Sequence, residues 1–155
     1  MVICAFLQDY LSGSNSMFRY RIEESSDAFH TLYCWGLDCY DILDEYLFFR
    51  LSRKLTLDPR PFYSITEHKR LMKTRCELLA NQYKDDKFYD ISKKYSLLSQ
   101  DCNTLLLKTL KYDAYNGRKE LPIEKNILKQ IKKEDDIITT ELLCSLKNKE
   151  KVFLN

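Results

Sequence analysis

Glycine and proline are scarce, three of each among 155 residues. Few breakers, together with many leucines and lysines, predict an all-α chain rather than a turn-rich β fold. No apolar run reaches the roughly 18 residues that a membrane span requires, and none supplies a C-terminal tail anchor. Val2 to Leu7 is apolar but lacks a basic lead and runs into Gln8 and Asp9, so no signal peptide is expected. The Asn-x-Ser/Thr sequon is missing as well, and the expectation is a soluble cytoplasmic protein. Gly13, Gly36 and Gly117 are scattered, which excludes a glycine loop that cradles phosphate. The two histidines, His30 and His68, stand at no ligand spacing with a cysteine or carboxylate, so no metal and no cofactor is expected. Six cysteines, Cys4, Cys34, Cys39, Cys76, Cys102 and Cys144, form no CxxC and fall mostly in apolar stretches, the pattern of free buried thiols. An excess of one charge is also lacking: Lys plus Arg is 25, Asp plus Glu is 23, and the net charge is +2. Lys129, Lys132 and Lys133 are followed at once by Glu134, Asp135 and Asp136, which argues against a nucleic-acid-binding face and suits a solvated face or turn.

Catalytic sets are absent too. Asp38, Asp41, Asp44 and Glu45 share one helix, whereas a general acid and base must oppose each other across a cleft. Cys76 has Arg75 on one side and Glu77 on the other, with no histidine near in sequence to activate it. No enzyme is expected.

What the chain does have is helical periodicity, and its length suits one domain with a true core. The longest amphipathic stretch is 28–55, where Phe29, Leu32, Gly36, Tyr40, Leu43, Leu47 and Leu51 recur at three- and four-residue steps. It predicts one long helix against which the others pack. Before it, residues 1–27 read as an N-terminal extension. In that extension 1–11 is a short helix or a strand, 12–16 is a loop, and the alternation at 18–22 suggests a short strand. Asp58-Pro59-Arg60-Pro61 is a stretch that no helix crosses, and Ser64 with Glu67 has the capping-box spacing, which predicts a helix from Ile65 to about Tyr83. A charged break at 84–87 precedes a short helix carrying Phe88, Ile91 and Tyr95, then a second run from Thr104 to about Ala114. Pro122 is placed to start a helix through Ile131, and a final one spans about Ile137 to Leu146. Residues 28–150 thus form a bundle of about five to seven helices.

Eleven tyrosines and eight phenylalanines are more than a core of this size needs. Tyrosine suits surfaces that are part wet and part apolar, such as a groove for a partner's amphipathic helix.

Several stretches follow one another in the order of a known family. Tyr40 to Lys54, with Glu45-Tyr46-Leu47-Phe48-Phe49-Arg50 inside it, is similar to the first homology helix of the Bcl-2 family. Leu71 to Leu78 falls where that family has its internal BH3 segment, with Arg75 and Cys76 in place of the usual glycine and aspartate. Phe88 to Leu97 resembles the third helix, and Leu105 through Arg118 the fourth helix and the start of the BH1 region, where Gly117 and Arg118 match. The chain therefore resembles the Bcl-2 family of apoptosis regulators, in a diverged viral form of poxvirus type. It departs from the family after Arg118, where no continuous apolar central helix, BH2 tryptophan motif or membrane anchor follows.

The resemblance implies a Bcl-2-like helical bundle that inhibits apoptosis by sequestering the BH3 helix of a pro-death host protein in a hydrophobic groove. It implies a groove wall of Tyr83, Phe88, Ile91, Tyr95, Leu106 and Leu110, with Arg118 pairing with the ligand's aspartate, and a location in the cytoplasm or peripheral at mitochondria. A second implication within the same fold is immune evasion by binding a host signalling adaptor through a surface face. A small helical nucleic-acid-associated protein is the alternative from another class, and homodimerisation is left open.

Overall fold

The computed structural model describes residues 2–14, 34–115 and 126–153, with the side chains of Val2 and of 150–153 left aside. It is all-helical, with five α-helices and no strand among the described residues. These are α1 (Val2–Ser12), α2 (Cys39–Ser52), α3 (Arg60–Tyr83), α4 (Asp86–Ala114) and α5 (Ile127–Phe153), with a 3₁₀ turn at Gly36–Asp38 leading into α2. None of the helices is long and apolar enough to cross a membrane. Of the first eleven residues, which the sequence leaves open between helix and strand, 2–11 are helical. The expected strand at 18–22, the start of the long helix at 28–33 and the helix start at Pro122 lie outside the described residues.

The helix expected over 28–55 is shorter than its periodicity suggests. Gly36 adopts a left-handed backbone, φ +57°, and a Cβ there would stand 2.0 Å from the Tyr10 carbonyl oxygen. The glycine marks a close approach between the 3₁₀ turn and α1, not a step on a helical stripe. α2 starts only at Cys39 and buries just Tyr40 and Leu47. The Tyr46 hydroxyl oxygen accepts the Asp58 N–H of the following loop at 2.9 Å, and Arg50 Nε donates to the Thr56 carbonyl at 2.7 Å. The connection from α2 to α3 is therefore tied back onto α2.

α3 begins five residues before its expected start. Pro59 already has helical dihedrals (φ −78°, ψ −14°), and Pro61 sits in the first turn, where a missing N–H costs nothing. The Asp58 carboxylate accepts the Arg60 backbone N–H at 3.0 Å and closes the helix end. At the other end Lys84 turns left-handed (φ +49°) and donates its N–H to the Ala80 carbonyl. Asp85 then caps α4 by accepting the Lys87 N–H at 3.0 Å. Two residues thus reverse the chain and lay α4 along α3.

α4 is one helix of 29 residues where the sequence suggests two. The polar stretch around Ser96 to Thr104 does not interrupt it, because Leu98, Ser99 and Cys102 continue the inward face that runs from Phe88, Ile91 and Tyr95 to Leu105, Leu106 and Thr109. Its small hydroxyls return to their own helix: Ser99 Oγ donates to the Ser96 carbonyl at 2.8 Å and Thr109 Oγ1 to that of Leu106 at 2.7 Å. α5 likewise runs unbroken through 129–136. Leu128, Ile131, Asp135, Ile138 and Leu142 lie on one inward stripe, so Asp135 is fully buried instead of solvated.

α3 packs along α4, α4 packs against α5, and α5 also carries α1 and α2. The acidic residues of α2 meet the lysines of α5: Lys132 stands 2.7 Å from Asp41 and 3.8 Å from Asp38, and Lys129 stands 3.7 Å from Asp44. These exposed pairs orient α2 more than they stabilise it. The six cysteines form no disulfide, with Cys4, Cys76 and Cys102 buried as expected, Cys34 and Cys39 half-buried, and Cys144 exposed.

Candidate binding groove and polar centre

The residues expected to wall a groove fill the interior instead. Phe88, Ile91 and Tyr95 have no exposed surface, and Leu106 is buried as well. They form the face of α4 that packs on α3 and α5, and the Tyr95 hydroxyl meets Thr139 Oγ1 at 2.8 Å. Tyr83 is half-buried and stacks on Phe88 with ring centroids 5.7 Å apart, while Leu110 is exposed. Arg118 lies outside the described residues. An apolar stripe at helical spacing fits both a core face and a groove face, and here the core takes it.

An open apolar groove exists elsewhere, between α1 and α3. Its cavity of about 610 Å³ is lined by Ile3, Phe6, Met72, Leu78, Leu79 and Leu142, with Arg75 and Gln82 at its edge. Met72, Leu79 and Leu142 are buried and make the floor, whereas Ile3 (52%), Phe6 (55%) and Leu78 (63%) stand well out into solvent. Leu71, Arg75, Leu78 and Gln82 follow one another at three- and four-residue steps along the same side of α3. Arg75 reaches Met72 Sδ at 3.8 Å and forms no ion pair with any described residue. The rim thus carries a guanidinium with no acidic partner among the described residues, beside exposed leucine, isoleucine and phenylalanine.

Beneath the helices lies a second feature, a closed polar centre. The Lys69 ammonium and the Asp135 carboxylate are ion-paired with side chains 1% and 0% exposed. Asp135 Oδ2 also accepts the hydroxyls of Tyr10 at 2.5 Å and Tyr40 at 3.0 Å, and Oδ1 faces Thr139 Oγ1 at 3.4 Å. Lys69 donates to the Tyr10 hydroxyl at 2.8 Å and contacts His68 Nδ1 at 3.1 Å. Side chains come from α1 (Tyr10), α2 (Tyr40), α3 (His68, Lys69) and α5 (Asp135, Thr139), and Tyr95 of α4 joins through Thr139. Burial lowers the Lys69 pKa while Asp135 opposes the shift. Burial also raises the Tyr10 and Tyr40 hydroxyls far above their usual range, with the Asp135 charge adding to it. Burial and then the Lys69 charge hold the His68 imidazole down to about 4. Each group has its partner, so the centre clasps helices together and leaves no coordination position open. No group of His, Cys, Asp and Glu among the described residues is arranged to hold a metal.

Sequence reasoning passed over both features, although each left a trace. Lys69 interrupts the stripe Phe62, Thr66, Met72, Cys76 and Leu79 at a core position, and Asp135 does the same on α5. Two opposite charges, each at a core step of its own helix, signal a buried pair. The groove gave only the weaker sign of leucines at 71 and 78 lying off that stripe. No protein-family model matches this chain, and neither a curated protein nor a solved structure matches it.

Proposed function

We propose that this protein is a non-enzymatic binding module that holds an amphipathic helix of a partner protein in the groove between α1 and α3. The observation that carries the reading is the open apolar cavity with Arg75, which has no ion-pair partner among the described residues, at its edge. A helix laid there buries an apolar face on Ile3, Phe6, Leu78 and the Leu79–Leu142 floor, and an acidic residue on its flank meets Arg75. The apolar anchors supply most of the affinity, and the charge pair sets register and partner choice. The resemblance to the Bcl-2 family names the class of occupant: the BH3 helix of a pro-death protein, which combines such an apolar face with an aspartate. Sequestering it inhibits apoptosis. In this reading Arg75 takes the part that the resemblance gives to Arg118.

The test is calorimetric titration of the full chain with a BH3 peptide and with the same peptide carrying Asp→Lys. Binding in the micromolar range or tighter, lost with Leu78→Glu and weakened with Asp→Lys, supports the proposal. Absence of binding to the wild type, or binding indifferent to Leu78→Glu, rejects it.

One observation favours the second reading, immune evasion through a surface face. On α2, Phe48 is 70% and Ile42 53% exposed, with none of the described helices covering them. Capture of a signalling adaptor that Phe48→Asp abolishes and Leu78→Glu leaves intact would select that reading over the groove.

A further inference from the structure

Cys34 and Cys39 are the one cysteine pair that the described residues bring together. Their sulfurs lie 3.5 Å apart, with the Cys34 thiol donating to Cys39 Sγ and the Cys39 thiol donating to the Cys34 carbonyl at 3.4 Å. The reversal that makes them meet is the left-handed Gly36 between them. A disulfide needs the sulfurs to approach by about 1.5 Å more, and this falls on the short segment from Cys34 through the 3₁₀ turn to Cys39, the first residue of α2. Both cysteines line a cavity of about 410 Å³ together with Tyr10, Tyr40, Ile65 and His68, so a small solute reaches them. Cys76 and Cys102 are buried singly, and Cys144 is exposed with no thiol beside it among the described residues.

We propose that Cys34 and Cys39 are a reversible redox pair that a hydroperoxide converts into a disulfide. The Cys34 thiolate attacks a peroxide oxygen, so that an S–O bond forms, the O–O bond breaks, and the second oxygen leaves as water after taking up a proton. Cys39 sulfur then attacks Cys34 sulfur, the S–S bond forms, and the hydroxyl leaves as a second water with the Cys39 proton. Two thiols are oxidised and one hydrogen peroxide is reduced. The order follows from the surroundings of Cys39, whose thiol is pushed up to about 12 by burial and then by the hydrogen bond and charge of Cys34. Burial keeps Cys39 protonated, so it acts second and passes its proton to the departing hydroxyl as its sulfur attacks Cys34. The closed ring fixes the 3₁₀ turn that docks on α1 at Tyr10, independently of whether the groove binds a helix.

The experiment treats the full chain with hydrogen peroxide, unfolds it, alkylates remaining thiols with iodoacetamide and maps the tryptic peptide between Arg21 and Arg50. The expected peptide has lost two hydrogens and carries no alkyl group, and dithiothreitol restores both alkylation sites. With Cys39→Ser, dimedone traps a sulfenic acid on Cys34. Full alkylation of both cysteines at a dose that oxidises Cys144, or linkage of either to Cys144 in preference to the other, overturns the proposal.

Discussion

Among the described residues, Lys69 and Asp135 are the two charges taken wholly out of water, and each makes the other tolerable. Removing one partner leaves the other buried and uncompensated, a loss of about 3–5 kcal/mol. Asp135→Ala should therefore lower the free energy of urea unfolding by that much, and by more than any single truncation at the rim of the groove. The double change Lys69→Met with Asp135→Leu should recover a large part, since a well-packed apolar pair replaces an ion pair at little cost. It should still fall short of the wild type until Tyr10→Phe and Tyr40→Phe are added, because each orphaned hydroxyl costs about 1–3 kcal/mol. His68, against the same centre, makes stability depend on pH. The fold keeps its imidazole neutral down to about 4, whereas an unfolded chain protonates it near pH 6.5. Between these values the unfolded state binds more proton. The His68 contribution is thus complete above pH 6.5 and is lost as the pH falls toward 4, by at most about 3 kcal/mol. His68→Gln should flatten the difference between unfolding curves at pH 7 and pH 4.5 relative to the wild type. At this scale the sequence was hard to read, since a lysine or aspartate in a row of polar residues looks solvated until its phase on the helix is counted.

The helices themselves were more legible than their ends. The apolar steps from Phe88 to Thr109 and from Leu128 to Leu146 keep one phase throughout, so each is one element. Charged and polar stretches at 96–104 and 129–136 had suggested breaks because local composition was weighed above that phase. In the opposite sense, Gly36 fitted a helical step by spacing, but its backbone and its contact with Tyr10 make it a boundary. What spacing cannot reveal is a close approach from a distant part of the chain. The tightest junction is between α3 and α4, where Lys84 holds a left-handed conformation that disfavours any side chain with a Cβ. Lys84→Gly should raise stability by up to about 1 kcal/mol, measured as a higher urea midpoint at unchanged slope. Asp85→Ala should lower it by about 1 kcal/mol through loss of the cap on Lys87 N–H. Lys149, 2.6 Å from Asp85, loses its partner in the same variant, so the end of α5 should exchange its amides faster.

Across the whole molecule, the all-α class followed from composition and periodicity, while the assignment of faces did not. A face of α4 rich in aromatic and aliphatic residues was read as a groove, but a bundle with one central hairpin must use that face for its own core. The apolar surface left over is then set by which helices fail to be covered, and this depends on how α1 seats on α5. Ile3 and Phe6 make one side of the groove only because α1 docks through Leu7, Tyr10 and the Gly36 turn. Gly36→Ala drives a methyl group into the Tyr10 carbonyl and should loosen α1 while the α3–α4 hairpin stays folded. If the groove is the binding site, this distant change should weaken the BH3 peptide at least tenfold, and Phe6→Ala should weaken it by a similar factor without altering α1. Far-ultraviolet circular dichroism distinguishes the two, since only Gly36→Ala is expected to lose helical signal. Should the peptide bind Gly36→Ala as it binds the wild type, α1 would not be a wall of the site and the helix would have to lie on α3 alone.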